Sequence, residues 1–283
     1  MRSLLILVAA LLFAPLVHAG SSEPLTVPAH GVIGVDAARL APDYWIARAA
    51  HADKVLMSKP AIVMQNARVL SRDPSMHDLS TMPEALSRDQ VLGWIKGLST
   101  LPDHPLYDSD GKRIGSEARD ALTASLDVDT VPASQPTRWG LVVHRARLRT
   151  FPTRLRVFSR PGNTDIDRFE ETGVFPGTPV VIAHASRDGN WLFVISPRYA
   201  AWMEKDAVAE GNRDTVLDYG QTASARVITG AQEQTVFTPE QPALSQLKLD
   251  MGVRIPLAEG LPADAPVNGQ SAYAAWTLRL PVR

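Results

Sequence analysis

The chain contains no cysteine. Disulfides, thiolate metal centres and a cysteine nucleophile are therefore excluded within it. A dominant charge sign is missing too. Lys and Arg number 29 against 30 Asp and Glu, for a formal net charge of −1. That balance gives no case for nucleic acid or another polyanion as partner. Long apolar runs are absent apart from Leu4 to Val17. That run holds about 14 residues, short of the roughly 20 that a membrane-spanning helix needs, and Pro15 interrupts it. No HExxH, GxSxG, phosphate-binding glycine loop or dinucleotide fingerprint occurs.

Proline and glycine are plentiful, at 22 and 18 residues. They favour short strands and loops over long helices. Hydrophobic residues make up 45% and charged residues 21% of 283 positions. This is core material for two domains or three small ones. Arg2, the apolar run and the small-residue pattern Val17-His18-Ala19 form an export leader over 1–19, with cleavage expected after Ala19. The mature protein is expected to be periplasmic or secreted, with no membrane attachment after cleavage. Its lack of cysteine suits an oxidising space.

Residues 20–40, with Pro24 and Pro28, read as an extended lead-in. Residues 41–130 read as a mainly helical domain. Trp45, Ala49 and Ala52 share one helical face, and Lys59-Pro60 marks a stop. Residues 60–70 fit helix or strand equally. Ser87 and Gln90 fit a capping box ahead of the stripe Val91, Leu92, Ile95 and Leu98. Ser116-Glu117-Ala118 starts another helix, with Ala118, Leu122 and Leu126 on its inner face. Residues 131–137, with Pro132 and Pro136, read as a linker.

From Arg138 the apolar period changes from 3.6 to 2. Short strand-like runs alternate with turns, among them Arg160-Pro161-Gly162-Asn163 and Asp188-Gly189. Leu155 to Phe158 reads as one of these strands. The pattern over 138–210 predicts a small barrel of SH3 size. Residues 211–283 read as a second SH3-like β module. Trp276, Leu278, Leu280 and Val282 alternate with polar residues and proline. Strand patterning up to Arg283 predicts that the module is cut short there. The expected fold class is α+β multidomain: a mainly helical N-terminal domain followed by two small SH3-like β-barrels.

Eight arginines lie between Arg138 and Arg168, against Asp165 and Asp167. On a strand, Arg145, Arg147 and Arg149 form a row. The row is a solvated outer face or an anion-binding strip. Tyr199 and Trp202 are candidates for an aromatic peptide groove, and Trp191, inside NWLFV, reads as core. His144 and His184 read as sheet histidines, or alternatively as a joint metal site across the barrel. None of the histidines shows a ligand spacing, so no metal or cofactor is assigned. Asp165, Asp167, Glu170 and Glu171 are loop charges or a hydrolytic carboxylate pair. No catalytic residue is assigned.

Taken together, RWGLVVHRARLRTFPT, GTPVVIAHASRDGNWLFVIS and AAWMEKDAVA resemble the first bacterial SH3-type domain of NlpC/P60-type cell-wall cysteine peptidases. The stretch from Thr235 to Arg283 resembles their second SH3-type domain. Residues from about Ala41 to Leu126 are similar to their N-terminal stabilising domain. The resemblance implies a papain-like partner domain that cleaves the γ-D-glutamyl bond to a diamino acid in peptidoglycan stems. This chain has no cysteine, so no catalytic residue carries over. The implied role is an exported, non-catalytic module that recognises or scaffolds. Its implied partners are peptidoglycan peptide stems or a catalytic peptidase domain. Two other roles remain open: an enzyme with a non-cysteine hydrolytic site, and an adaptor that binds a protein peptide at Tyr199 and Trp202.

Overall fold

The computed structural model describes residues 27–262 and 264–283. The expected leader and the start of the lead-in lie outside the described residues. The chain divides into two compact units, at Ile62 and Val63.

In the first unit a 3₁₀ turn, Ala37–Leu40, leads into helix α1, Pro42–Ile46. The helical pattern expected to run on through Ala49 and Ala52 ends after this one turn. No residue of α1 is buried, and so short a helix needs tertiary packing to persist. Trp45 is exposed and donates its indole N–H to the Arg39 carbonyl at 2.7 Å. Helix α2, Lys59–Arg72, begins where a stop was expected. Pro60 sits in its first turn, where a missing N–H leaves no helical bond unmade.

The second unit opens with strand β1, Ala85–Ser87, and helix α3, Arg88–Leu98. The capping box is formed: Ser87 Oγ accepts from Gln90 N, and Gln90 Oε1 accepts from Ser87 N at 3.0 Å. Val91 and Ile95 are buried, as the stripe requires. Helix α4, Ser116–Ser125, buries Leu122.

The stretch expected as a linker is instead structured. Strand β2, Ser134–Pro136, pairs antiparallel with β1, and Val131 is buried. Thr137 N donates to Glu84 O at 2.8 Å. A two-stranded ladder tolerates Pro136 because an edge residue need not donate to the ladder.

Seven strands then form one antiparallel sheet. They are β3 Arg138–Val142, β4 Ala146–Arg149, β5 Glu170–Val174, β6 Pro179–Ala185, β7 Trp191–Ile195, β8 Ala200–Glu204 and β9 Val208–Gly211. Their order is β5-β4-β8-β7-β6-β3-β9. The β6–β7 hairpin carries the expected turn, with Gly189 at φ +70°. The Asp188 carboxylate accepts from Ser186 Oγ and Asn190 N in that turn. Leu155 to Phe158 adds no strand, and Phe158 makes only an isolated bridge to Tyr107.

Strand β7 reads Trp-Leu-Phe-Val-Ile, with no polar alternation. The reason is that both of its faces are covered. Trp191, Phe193 and Ile195 join a core with Trp139, Val181 and Trp202, to which α3 contributes Val91 and Ile95. Leu192 and Val194 join a second core with Val142, Ile182 and Met203. A strand buried on both faces reads as a continuous apolar run. Residues 79–131 therefore share a hydrophobic core with the sheet and are not a separate domain.

After β9 comes helix α5, Arg213–Tyr219, which the sequence reading missed. Its signal was Asn212, whose side chain accepts from Thr215 N at 2.8 Å. The remaining strands are short: β10 Ala225–Val227, β11 Gln232–Gln234, β12 Lys248–Asp250, β13 Arg254–Pro256, β14 Pro266–Val267 and β15 Gln270–Ser271. They pair as three separate ladders, β10–β13, β11–β12 and β14–β15. Leu249, Val253 and Ile255 form a small core beneath them. The alternating end forms no strand, and Leu278 makes an isolated bridge to Leu257.

The fold is thus mixed helix and sheet, built on one large antiparallel sheet. Among the described residues no helix is long and apolar enough to cross a membrane.

Candidate functional site

The sheet separates the five residues singled out in the sequence. Tyr199 lies just ahead of β8 and is half-buried. Its hydroxyl donates to Glu171 Oε2 at 2.7 Å, while Thr150 Oγ1 donates to Glu171 Oε1 at 2.5 Å. Burial, and secondarily the bond to Glu171, pushes the Tyr199 hydroxyl up to about 12. It therefore stays protonated and donates. Glu171 sits on the exposed part of β5. The result is a carboxylate held in place by two hydroxyls and open to solvent.

Trp202 does not stand beside Tyr199 as a groove wall. Strand alternation points it to the opposite core, where it is fully buried. Its indole N–H donates to Ser99 Oγ at 3.0 Å, and Ser99 Oγ donates to Thr150 O at 2.7 Å. Phe193 packs edge-on at 5.4 Å between ring centroids. The expectation of a surface aromatic at Trp202 is corrected. The residue instead ties the end of α3 to the backbone of Thr150, whose hydroxyl holds Glu171.

The arginine row is also broken. Arg145 and Arg147 are exposed, but Arg149 is buried. The β4–β5 register shifts between Leu148 and Arg149. The extra residue, Glu171, lies on β5, so Arg149 keeps the alternation of β4 and is buried because it lies opposite Trp202, on the covered part of that face. Arg149 Nη1 donates to Asp167 Oδ2 at 2.9 Å, and Nη2 donates to Leu155 O at 2.6 Å. Asp167 Oδ1 accepts from Val157 N at 3.1 Å and Phe169 N at 3.0 Å. This ion pair organises the 150–169 loop, and Asp167 is no surface charge.

Arg145 faces Asp250 at 3.4 Å, and Arg147 faces Glu170 at 3.6 Å. A residue not singled out earlier, Arg154, meets Glu204 at 2.5 Å. His144, Arg145, Arg147, Arg154 and Glu204 line a cavity of about 310 Å³ at this end of β4 and β8.

The histidines do not converge. His184 Nε2 lies 3.1 Å from Leu126 O and 3.2 Å from Asp127 O. With two carbonyl acceptors, that nitrogen carries the proton. Burial holds the imidazole below its ordinary range, hence neutral. His184 anchors the end of α4. His144 lies in the turn after β3, its Nδ1 3.1 Å from Arg145 O. No group of three or more His, Asp or Glu able to hold a metal occurs among the described residues.

Residues 156–204, which cover β5 to β8, match the SH3 domain (SH3b1 type) family model. The chain therefore contains a bacterial SH3 domain of the SH3b1 type. In fold it is similar to a solved NlpC/P60 endopeptidase from Photobacterium damselae subsp. piscicida. That match has a TM-score of 0.54 and 15% identity, and covers 81% of this chain and 52% of that chain. The chain thus spans about half the length of that relative. No curated protein matches it. The likeness to that endopeptidase is one of fold.

Proposed function

We propose that the protein is an exported cell-wall module that binds peptidoglycan peptide stems and scaffolds an NlpC-type γ-D-glutamyl-diamino-acid endopeptidase domain. The chain itself supplies recognition, since it has no cysteine nucleophile. The observation that carries the reading is the Tyr199–Glu171 pair on the SH3 domain. It offers an oriented carboxylate acceptor and a half-buried aromatic ring side by side, which suits the N–H groups and amines of a short peptide. Its orientation is set from the core through Thr150, Ser99 and Trp202. A preorganised site of this kind binds with less loss of side-chain freedom.

In this reading residues 1–19 are the export leader, and the protein works in the periplasm or outside the cell. Residues 41–130 are the stabilising region, and 211–283 a second SH3-like module.

Retention on purified sacculi, measured against a control protein of similar charge, tests the proposal. Glu171→Gln and Tyr199→Phe are each expected to reduce retention by about tenfold or more, since bonds to a charged group are worth about 1.5–3 kcal/mol. No retention of the unmodified chain at low and moderate salt alike refutes it.

A further inference from the structure

The cavity at the opposite end of β8 joins the arginine row of the sequence to two residues not singled out there, Arg154 and Glu204. Arg147 comes from β4 and Arg154 from the loop beyond it, and both line the same cavity as Glu204 at the end of β8. Arg145, Arg149 and Trp191 complete this part of the lining. Four arginines thus line the cavity with one acidic residue, while Asp250, Glu170 and Asp167, which pair with three of them, are not part of the lining.

Their existing partners leave donors over. Arg147 meets Glu170 at only 3.6 Å and Arg145 meets Asp250 at 3.4 Å. Each guanidinium has five N–H donors, and exposed single-point pairs of this kind bind weakly. Arg149 adds an independent sign. Its side chain is 3% exposed, and its Nε–H has no acceptor among the described residues. A buried N–H without a partner is disfavoured. Glu204, bound to Arg154 at 2.5 Å, already makes the contact that an incoming carboxylate would make.

The surroundings narrow the ligand. A cleft of about 740 Å³ shares Arg154, Trp191 and Glu204 with the cavity. Its other charged residues are Lys205 and Arg283 against Asp188 and Asp206. That balance suits the neutral body of a peptide and disfavours a polyanion. We propose that the cavity is a carboxylate-binding site that takes the free C-terminal carboxylate of a short peptide on Arg147 and Arg154, in competition with Glu204. This site stands apart from the Tyr199–Glu171 pair and does not depend on the sacculus reading.

The test is a titration of the purified chain with alanyl-alanine, its C-terminal amide and inorganic phosphate, read on the arginine Nε–Hε signals by NMR. The signals of Arg147, Arg149 and Arg154 are expected to move with the free acid and to stay still with the amide. Arg147→Gln and Arg154→Gln each weaken binding about tenfold, as expected for a charge-assisted bond. Their side chains are 66% and 80% exposed, so the fold tolerates both changes. Glu204→Gln removes the competitor and strengthens binding about fivefold. The proposal is overturned if the free acid moves none of these signals, if the amide binds as well, or if phosphate binds more tightly than the dipeptide. Weaker binding in Glu204→Gln also overturns it. Sacculus retention is measured separately through Tyr199 and Glu171, so either idea can fail alone.

Discussion

Replacing Asp167 by Asn isolates the charge of the buried ion pair. The two side chains are each 3% exposed, and the Arg149–Asp167 bond is 2.9 Å. Asn keeps the size of Asp and an oxygen for Val157 N and Phe169 N. What it removes is the negative charge beside Arg149. An uncompensated buried guanidinium costs about 3–5 kcal/mol, because the charge stays desolvated with nothing to offset it. That is a large share of the about 5–15 kcal/mol that keeps a domain folded. Urea unfolding followed by tryptophan fluorescence measures the loss, with the slope checked for constancy. The double variant Arg149→Met, Asp167→Asn removes both charges and keeps the acceptor oxygen. It is expected to recover to within about 1–2 kcal/mol of the starting protein. A loss below about 1 kcal/mol in Asp167→Asn refutes the reasoning. So does a double variant whose loss equals the sum of the two single losses.

Three further outcomes follow from local features. His184 has its folded pKa below the ordinary 6.5 through burial, so the unfolded chain binds its proton more readily. Its contribution to stability is complete above about pH 6.5 and falls as the pH drops toward the folded value. Thermal midpoints from pH 8 to 5 check this, and His184→Gln should flatten that part of the profile. Ser87→Ala removes half of the capping box on α3 and should cost about 1 kcal/mol in urea unfolding. Gly177 adopts φ +82°, and an added Cβ would lie 2.5 Å from Tyr219 Cε1. Gly177→Ala should cost about 1–3 kcal/mol by the same measurement, whereas Gly189→Ala, with open space around it, carries only the backbone term.

Features that depend on near neighbours in the chain were legible from the residues alone. The capping box at Ser87 and Gln90 formed because both partners lie within one turn. The Asp188-Gly189 turn formed because glycine there accepts positive φ. The change of period at Arg138 marked the start of the sheet. Tertiary structure decided everything that depends on which side of a strand is covered, and by what. Trp202 and Tyr199 lie three residues apart, yet one is sealed against α3 and the other reaches Glu171. Arg149 shares a strand face with Arg145 and Arg147, yet it alone is buried, because β8 brings Trp202 opposite it. Residues 131–137 look like a linker until Ala85–Ser87 lies alongside to accept them. Arg154 was one arginine among eight until the end of β8 brought Glu204 to it. Periodicity records that a face is buried, but a charged or aromatic side chain acquires its role from distant residues that local pattern cannot name.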